Sequence, residues 1–118
     1  MENNKQLGQI KNLIMLALAD GTADEKELAL IAAVASREKL TEEQVNQLIE
    51  NPGTVHVELP EDEESKKRYL TDMVVLMMAD GVMDDDEMAM CKLYAITLGF
   101  DSSMVESLVI DLAELFKQ

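Results

Sequence analysis

The repeated stretches ADGTADEKE, residues 19–27, and ADGVMDDDE, residues 79–87, decide the fold. Both contain Ala-Asp-Gly, an Asp three residues after the Gly, and a Glu three residues after that Asp. When residues 13–50 are aligned on residues 73–110 without a gap, ten positions are identical, at a constant offset of 60. We interpret this pattern as an internal duplication, in which one supersecondary unit is used twice.

Each half of the chain is predicted to form three helices, because apolar residues recur at the helical period and turn residues separate the periodic segments. The predicted helices span residues 4–19, 25–37, 41–50, 61–79, 85–98, and the segment that follows Asp101. The third helix begins with Thr-x-x-Gln, the pattern of a capping box. The last helix has the most regular apolar stripe, from Val105 to Phe116.

The segment between the halves alternates apolar and polar residues as a strand does, but no second strand is predicted to pair with it. We therefore expect an extended connector, whose Val55, Val57 and Leu59 pack on the helices. The prediction is an all-α fold in a single domain over residues 1–118. Its first helical unit is about 4–50, its connector is 51–60, and its second helical unit is about 61–118.

Composition and charge limit the function classes. Apolar residues make up 47% of the chain and aromatic residues 3%, a composition that favours helices with a core of Leu, Ala, Met, Val and Ile. The net charge is −14. A surface this negative repels phosphate backbones, so we expect no nucleic-acid binding. It attracts cations and proteins with a basic surface.

The sequence also predicts the compartment. Cys91 is the one cysteine, so no intramolecular disulfide forms, as is typical of a reducing compartment. The N-terminus lacks the cationic head and apolar run of a signal peptide. The longest apolar runs, residues 13–19 and 73–79, are too short to span a bilayer. We expect a cytoplasmic protein with no transmembrane segment, and the sequence leaves its oligomeric state open.

The repeated turn has one explanation that needs no ligand. Glycine suits the position just past a helix end, where a positive φ is favoured. The Asp after it is a helix N-cap, and the Glu three residues later completes a capping box. This interpretation accounts for three residues of each turn: Gly21, Asp24 and Glu27, and Gly81, Asp84 and Glu87.

Capping does not explain Asp20 and Asp80. Each lies at a predicted helix C-terminus, where the macrodipole disfavours a carboxylate by roughly 0.3–1 kcal/mol. Hydrogen bonding within the turn is one explanation, and a bound cation is another. If the Gly is placed at position 6 of an EF-hand loop, the acids of each turn fall at positions 5, 9 and 12. Positions 1 and 3 are apolar, however, so one turn has too few ligands for a Ca²⁺ ion, which takes 6–8 oxygens.

Two such turns brought together would supply six carboxylates. Oxygen ligands favour Ca²⁺, Mg²⁺ or Mn²⁺ over Zn²⁺, and neither turn contains His or Cys. The candidate metal ligands are Asp20, Asp24, Glu27, Asp80, Asp84 and Glu87. The alternative is an acidic protein-interaction adaptor that docks a basic partner without metal.

Catalytic patterns are not found in the sequence. His56 is the single histidine, so no Ser-His-Asp or Cys-His set is assembled, and there is no glycine-rich phosphate loop. We predict that the protein is not an enzyme. Six methionines between residues 73 and 90, together with Cys91, follow helical spacing and are predicted to fill the core.

The stretches LALADGTADEKELALIAAVA (16–35) and LMMADGVMDDDEMAMCKLYAITLGF (76–100) resemble the two halves of a TerB-like domain, the helical family of tellurite resistance. The paired A-D-G-x-x-D-x-x-E turn is the hallmark of that family. The resemblance covers residues from about 7 to 117. It implies about seven helices, an acidic surface around the two turns with a divalent-metal role, and a bacterial tellurite or stress-response setting.

Overall fold

The computed structural model describes residues 4–18, 25–51, 53, 58–79 and 85–116, and their regular structure is helical. The helices are α1 Asn4–Ala17, α2 Glu25–Arg37, α3 Glu42–Glu50, α4 Glu63–Met78, α5 Asp85–Thr97 and α6 Ser103–Phe116. No strand occurs in these described ranges. The prediction of an all-α bundle of about six to seven helices is confirmed, with six helices in the described ranges.

The internal repeat is visible in the helices. Helices α2 and α5 begin and end at the same positions of the repeat, with an offset of 60 residues. Helix α1 packs on α2 and α3, just as α4 packs on α5 and α6. The two sets are joined because α1 also packs on α4, and α2 touches α4. The first three helices lie within the predicted unit 4–50 and the last three within 61–118.

Side-chain caps fix the starts of three helices. At α3, Thr41 accepts a hydrogen bond from the Gln44 backbone N–H at 3.1 Å, and the Gln44 side chain accepts one from the Thr41 N–H at 2.9 Å. This is the capping box predicted from the sequence. At α4, Asp62 accepts from the Ser65 N–H at 2.8 Å. Before α6, Asp101 accepts from the Ser103 N–H at 2.9 Å.

Helices α2 and α5 end in the same way. After α2, the Leu40 N–H donates to the Ala35 carbonyl at 2.9 Å and the Lys39 N–H donates to Ser36. After α5, the Phe100 N–H donates to Ala95 at the same distance and the Gly99 N–H donates to Ile96. These paired bonds form the Schellman motif, which places the second residue after each helix, Lys39 or Gly99, in the left-handed region.

One core fills the space between the helices. Its fully buried side chains include Ile10, Leu16, Leu48, Leu70 and Val105. The prediction for the methionine-rich segment is confirmed for five of its six members: Met73 and Met77 are buried, and Met78, Met88 and Met90 pack against the core. The sixth, Met83, lies outside the described residues.

The connector is described in part. Leu59 packs against the core and Pro60 is buried, as expected for a segment that covers the helices. The predictions for Val55 and Val57 fall outside the described residues. Within the part of the chain that the structure describes, none of the helices has the length and apolar character to cross a bilayer.

Candidate functional site

The structure places two of the six predicted metal ligands. Glu27 and Glu87 lie in the first turns of α2 and α5, at the same position of the repeat. Both are buried, with 4% and 3% of their surface exposed. The other four lie outside the described residues: Asp20, Asp24, Asp80 and Asp84. The expectation that all six converge is therefore still a prediction.

The helix starts explain why these two glutamates sit where they do. Each is the third residue of its helix, and each helix begins directly after the repeated turn. Acidic residues fill both first turns, with Glu25 beside Glu27 in α2, and Asp85 and Asp86 beside Glu87 in α5. Negative side chains are favoured there by the helix macrodipole. The third helical position is also that of the Glu in a capping box. The positions of Glu27 and Glu87 therefore agree with both capping and cation binding.

Burial distinguishes Glu27 and Glu87 from the other first-turn acids. Glu25, Asp85 and Asp86 are exposed, as surface acids normally are. A buried carboxylate is stable only when hydrogen-bond donors or a cation compensate for its lost hydration. Each of the two glutamates interacts with another group of the chain. The repeat thus places one buried carboxylate at the start of each of the two related helices.

Cys91 lies one turn after Glu87 on α5 and is fully buried. Burial, together with a smaller effect of the negative charge of Glu87, raises the pKa of the Cys91 thiol to about 12. The thiol therefore stays protonated near neutral pH, whereas soft-metal ligation and nucleophilic attack both require the thiolate. The prediction that Cys91 is a small core residue is confirmed.

The described residues do not by themselves form a metal cluster. Within ranges 4–18, 25–51, 53, 58–79 and 85–116, no group of three or more His, Cys, Asp or Glu side chains is arranged to hold a metal ion. Since four of the six predicted ligands lie outside these ranges, this result leaves the predicted site untested.

A buried polar network at the junction of the two units was missed by the sequence analysis. Asp72, in the middle of α4, is 9% exposed. Its carboxylate accepts hydrogen bonds from Arg37 Nη1 at 3.1 Å and from Arg37 Nη2 at 2.6 Å. The buried Gln9 side chain of α1 donates to the same carboxylate. One acid therefore joins α1, the end of α2, and α4.

The network continues toward the surface. Arg37 Nη2 also lies 2.9 Å from Glu38 Oε2, and Arg68 Nε lies 3.6 Å from the same oxygen. The Arg68 guanidinium stands 5.6 Å from the centroid of the Tyr69 ring, in cation–π geometry. Hydrogen bonding to Asp72 raises the pKa of Arg37 above its usual value. The network is charge-compensated throughout, as expected of a structural link between helices rather than of a binding site.

One sequence signal for this network existed. Asp72 directly precedes the apolar run 73–78 of α4 and follows Leu70, in a part of the helix where a charged residue is buried only if it has a partner. The sequence does not name that partner, because Arg37 is separated from Asp72 by 35 residues.

Comparison of the chain with models of known protein families, with functionally characterised proteins and with solved structures gives no match.

Proposed function

We propose that this protein is a non-catalytic module that binds a divalent cation through its two repeated acidic turns. The ligands of the proposed site are Asp20, Asp24, Glu27, Asp80, Asp84 and Glu87. One observation carries the proposal: Glu27 and Glu87 are buried carboxylates at equivalent positions of α2 and α5, and in the sequence each follows a repeated segment with two further aspartates.

The number of ligands requires both turns. A single turn offers about three carboxylates, whereas Ca²⁺ takes 6–8 oxygens and Mg²⁺ takes six, some from water. Helices α1 and α4, which lead into the two turns, pack on one another. The ligand set is entirely oxygen, so the site suits Ca²⁺, Mg²⁺ or Mn²⁺.

The biological setting follows from the resemblance to TerB-like domains. On that basis we infer a bacterial module in a tellurite or stress-response system, working in the cytoplasm. The support is the paired A-D-G-x-x-D-x-x-E turn itself, at residues 19–27 and 79–87.

The competing explanation, helix capping without metal, is tested by amide variants. Asn is as good an N-cap as Asp, and Gln serves in a capping box as Glu does. Glu27→Gln/Glu87→Gln therefore preserves the caps while it removes two charges from the proposed ligand set. Asp20→Asn/Asp80→Asn removes the charges of the two acids whose presence capping does not explain.

The measurement is the thermal unfolding midpoint after chelator treatment, followed by addition of Ca²⁺, Mg²⁺ or Mn²⁺ at matched ionic strength. Cation binding raises the midpoint of the wild type as the cation concentration passes Kd. We expect both double variants to lose this rise. The control Glu63→Gln/Glu64→Gln removes two exposed acids from α4, and its unfolding midpoint is expected to rise with the cation as in the wild type. No rise beyond a NaCl control would contradict the proposal.

A second candidate function is that of an adaptor whose acidic surface docks a basic protein without metal. The observation that favours it is the row of exposed acids on α3, Glu42, Glu43 and Glu50, in a helix that has no basic residue. Binding of a basic partner that is lost in Asp20→Asn/Asp80→Asn but unchanged by chelator would favour the adaptor over the cation site.

A further inference from the structure

An open apolar groove of about 610 Å³ lies between α2 and α3, over a floor supplied by α1. The lining residues that the structure describes are mostly aliphatic, and those with polar side chains are Ser36, Glu42 and Asn46. None of the six proposed cation ligands lines it in the described part of the chain. The inference drawn from this groove therefore does not rest on the cation site.

The groove exposes large apolar side chains. Leu18, Leu28 and Ile49 line it, and 49%, 45% and 46% of their respective surfaces are accessible to solvent. Scattered apolar residues are normal on a protein surface, but three that line one groove form a contiguous patch. Nearly half of each side chain faces water, so the feature is an open trough rather than a closed cavity.

The second helical unit covers the same positions. The counterparts of Leu18, Leu28 and Ile49 at the offset of 60 are partly buried and packed against the core: Met78, Met88 and Val109. The two units thus share an arrangement of three helices but differ in side-chain exposure at these three positions. The exposure in the first unit is a local property of that unit and not a general consequence of the fold.

The second unit also carries an ion pair across its helices. Lys92 Nζ of α5 lies 3.8 Å from Glu106 Oε2 of α6. The corresponding residues of the first unit are Ala32 and Asn46, and both line the groove. A short apolar side chain and a neutral one therefore leave space where the second unit has two long, charged side chains.

We propose that this groove docks an amphipathic helix with a basic polar face, supplied by a partner protein. Helix α2 is 13 residues long. At 1.5 Å per residue it offers a trough of about 20 Å, which matches three to four turns of a docked helix. Docking of this kind buries residues spaced i, i+3 or i+4, and i+7 along the apolar face of the partner helix.

Charge selects a basic partner. The charged residue in the described groove lining is Glu42, and Glu43 and Glu50 lie on the same helix with no basic residue among them. The whole chain carries −14. Lys26 of α2 is exposed but does not belong to the lining. Cationic residues flanking the docked apolar stripe would meet complementary charge along α3.

The same charges disfavour a second copy of this chain as the occupant. Large apolar side chains are also exposed on α5, at Leu93 and Ile96, and on α6, at Ile110 and Leu115. Helix α5 carries three acids and one lysine, which pairs with Glu106, and the charged residues of α6 are all acidic. Docking α6 on α3 would bring like charges together between two chains that each carry −14.

The test uses a defined probe, a fluorescein-labelled Leu/Lys peptide patterned as an amphipathic helix. It is about 20 residues long, because shorter isolated helices are marginal in water. Binding is followed by fluorescence anisotropy in about 150 mM NaCl, which screens long-range attraction to the acidic surface. A Leu/Lys peptide of the same composition with scrambled spacing controls for charge, and a Leu/Glu helix controls for apolar contact alone.

The main variant transfers the ion pair of the second unit into the groove, as Ala32→Lys/Asn46→Glu. Its matched control, Ala33→Lys/Gln47→Glu, makes the same charge changes one residue further along each helix, at exposed positions outside the groove lining. A third variant, Leu28→Ser/Ile49→Ser, removes apolar contact at two half-exposed positions. Circular dichroism confirms that each variant is folded before binding is compared.

We expect the wild type and the matched control to bind the Leu/Lys helix equally, and the two groove variants to bind it at least about tenfold more weakly. Equal binding of the scrambled peptide, or equal affinity in both groove variants and the control, would overturn the proposal in favour of plain charge attraction. A concentration-dependent dimer in sedimentation velocity that is lost in Ala32→Lys/Asn46→Glu would overturn it in favour of a second copy.

Discussion

Lys39 and Gly99 occupy the same left-handed position, with φ values of 66° and 97°, at the ends of the two related helices α2 and α5. Both helices end in a Schellman motif, which requires this conformation of the residue that follows the helix. Glycine adopts this conformation without a steric penalty, whereas in a residue with a Cβ the same conformation brings the Cβ too close to the backbone. The first unit therefore uses a strained residue where the second uses the favoured one.

Replacing Lys39 by glycine is expected to stabilise the protein by about 1 kcal/mol, because relief of the left-handed strain exceeds the added chain entropy of glycine. The reverse change, Gly99→Ala, is expected to destabilise it by about the same amount. No neighbouring atom lies within 4 Å of a Cβ added at Gly99, so conformation and not crowding determines the cost. Urea unfolding measures the stability change in each variant. A loss of stability in Lys39→Gly would contradict the strain argument.

Asp72 is expected to be the polar residue on which the junction of α1, α2 and α4 depends. Asp72→Ala leaves the buried Gln9 side chain and the Arg37 guanidinium without their shared acceptor. A hydrogen bond to a charged group contributes about 1.5–3 kcal/mol to stability. We therefore expect Asp72→Ala to lower the free energy of unfolding by about 3 kcal/mol.

The control for Asp72 is Glu106→Ala, which breaks the Lys92–Glu106 pair, in which the Glu106 side chain is 61% exposed. An exposed pair contributes up to about 1 kcal/mol. Chemical unfolding of the two variants compares them directly. Equal losses in Asp72→Ala and Glu106→Ala would show that the network does not hold the helices together.

The capping box at α3 is expected to contribute measurably to stability, because this helix has nine residues and packs with one face only. Thr41→Ala removes the side-chain acceptor for the Gln44 N–H and is expected to cost about 1 kcal/mol. Thr41→Ser keeps a hydroxyl acceptor and is expected to cost less. Unfolding curves in urea separate the two, and equal losses would argue against a role for the hydroxyl.

The N-cap of α4 predicts a pH dependence. Hydrogen bonding to the Ser65 N–H lowers the pKa of Asp62 below its ordinary value of 3.8. A lowered folded-state pKa contributes stability that is fully present above the ordinary value and is lost as the pH falls through the folded-state pKa. Asp62→Asn keeps a capping oxygen but has no charge to lose.

We therefore expect the difference in melting temperature between the wild type and Asp62→Asn to be constant from about pH 5 to 7 and to shrink below about pH 4. Thermal melts in a series of buffers measure this difference, and the effect of the overall charge of the chain is reduced because the two proteins are compared at each pH. If the difference in melting temperature instead grew as the pH falls, the lowered pKa of Asp62 would be contradicted.

Local patterns account for what the sequence predicted well. The bounds of α2 were predicted as 25–37 and are Glu25–Arg37, because acids mark the first turn and the helical apolar period runs from Leu28 to Ala35. The start of α3 followed from Thr41 and Gln44, which interact within one turn. Such signals depend on residues close in the chain, so a single sequence contains them.

Long-range geometry accounts for what the sequence did not predict. The contact between Arg37 and Asp72 needs the packing of α2 on α4, and the groove needs a comparison of side-chain exposure in the two units. The apolar stripe of α6 also overstated burial, since Val105 is fully buried but Leu115 is 63% exposed. Periodicity shows which face of a helix is apolar, and tertiary packing decides how far along the helix that face is covered.

The candidate cation site is the central claim, and calorimetric titration of the chelator-treated protein with Ca²⁺, Mg²⁺ and Mn²⁺ tests it most directly. The account predicts saturable binding of one ion per chain for at least one of these cations, because the two turns share their ligands. It also predicts that Asp20→Asn/Asp80→Asn and Glu27→Gln/Glu87→Gln abolish this binding. No saturable heat with any of the three cations, or unchanged binding in both variants, would contradict the claim.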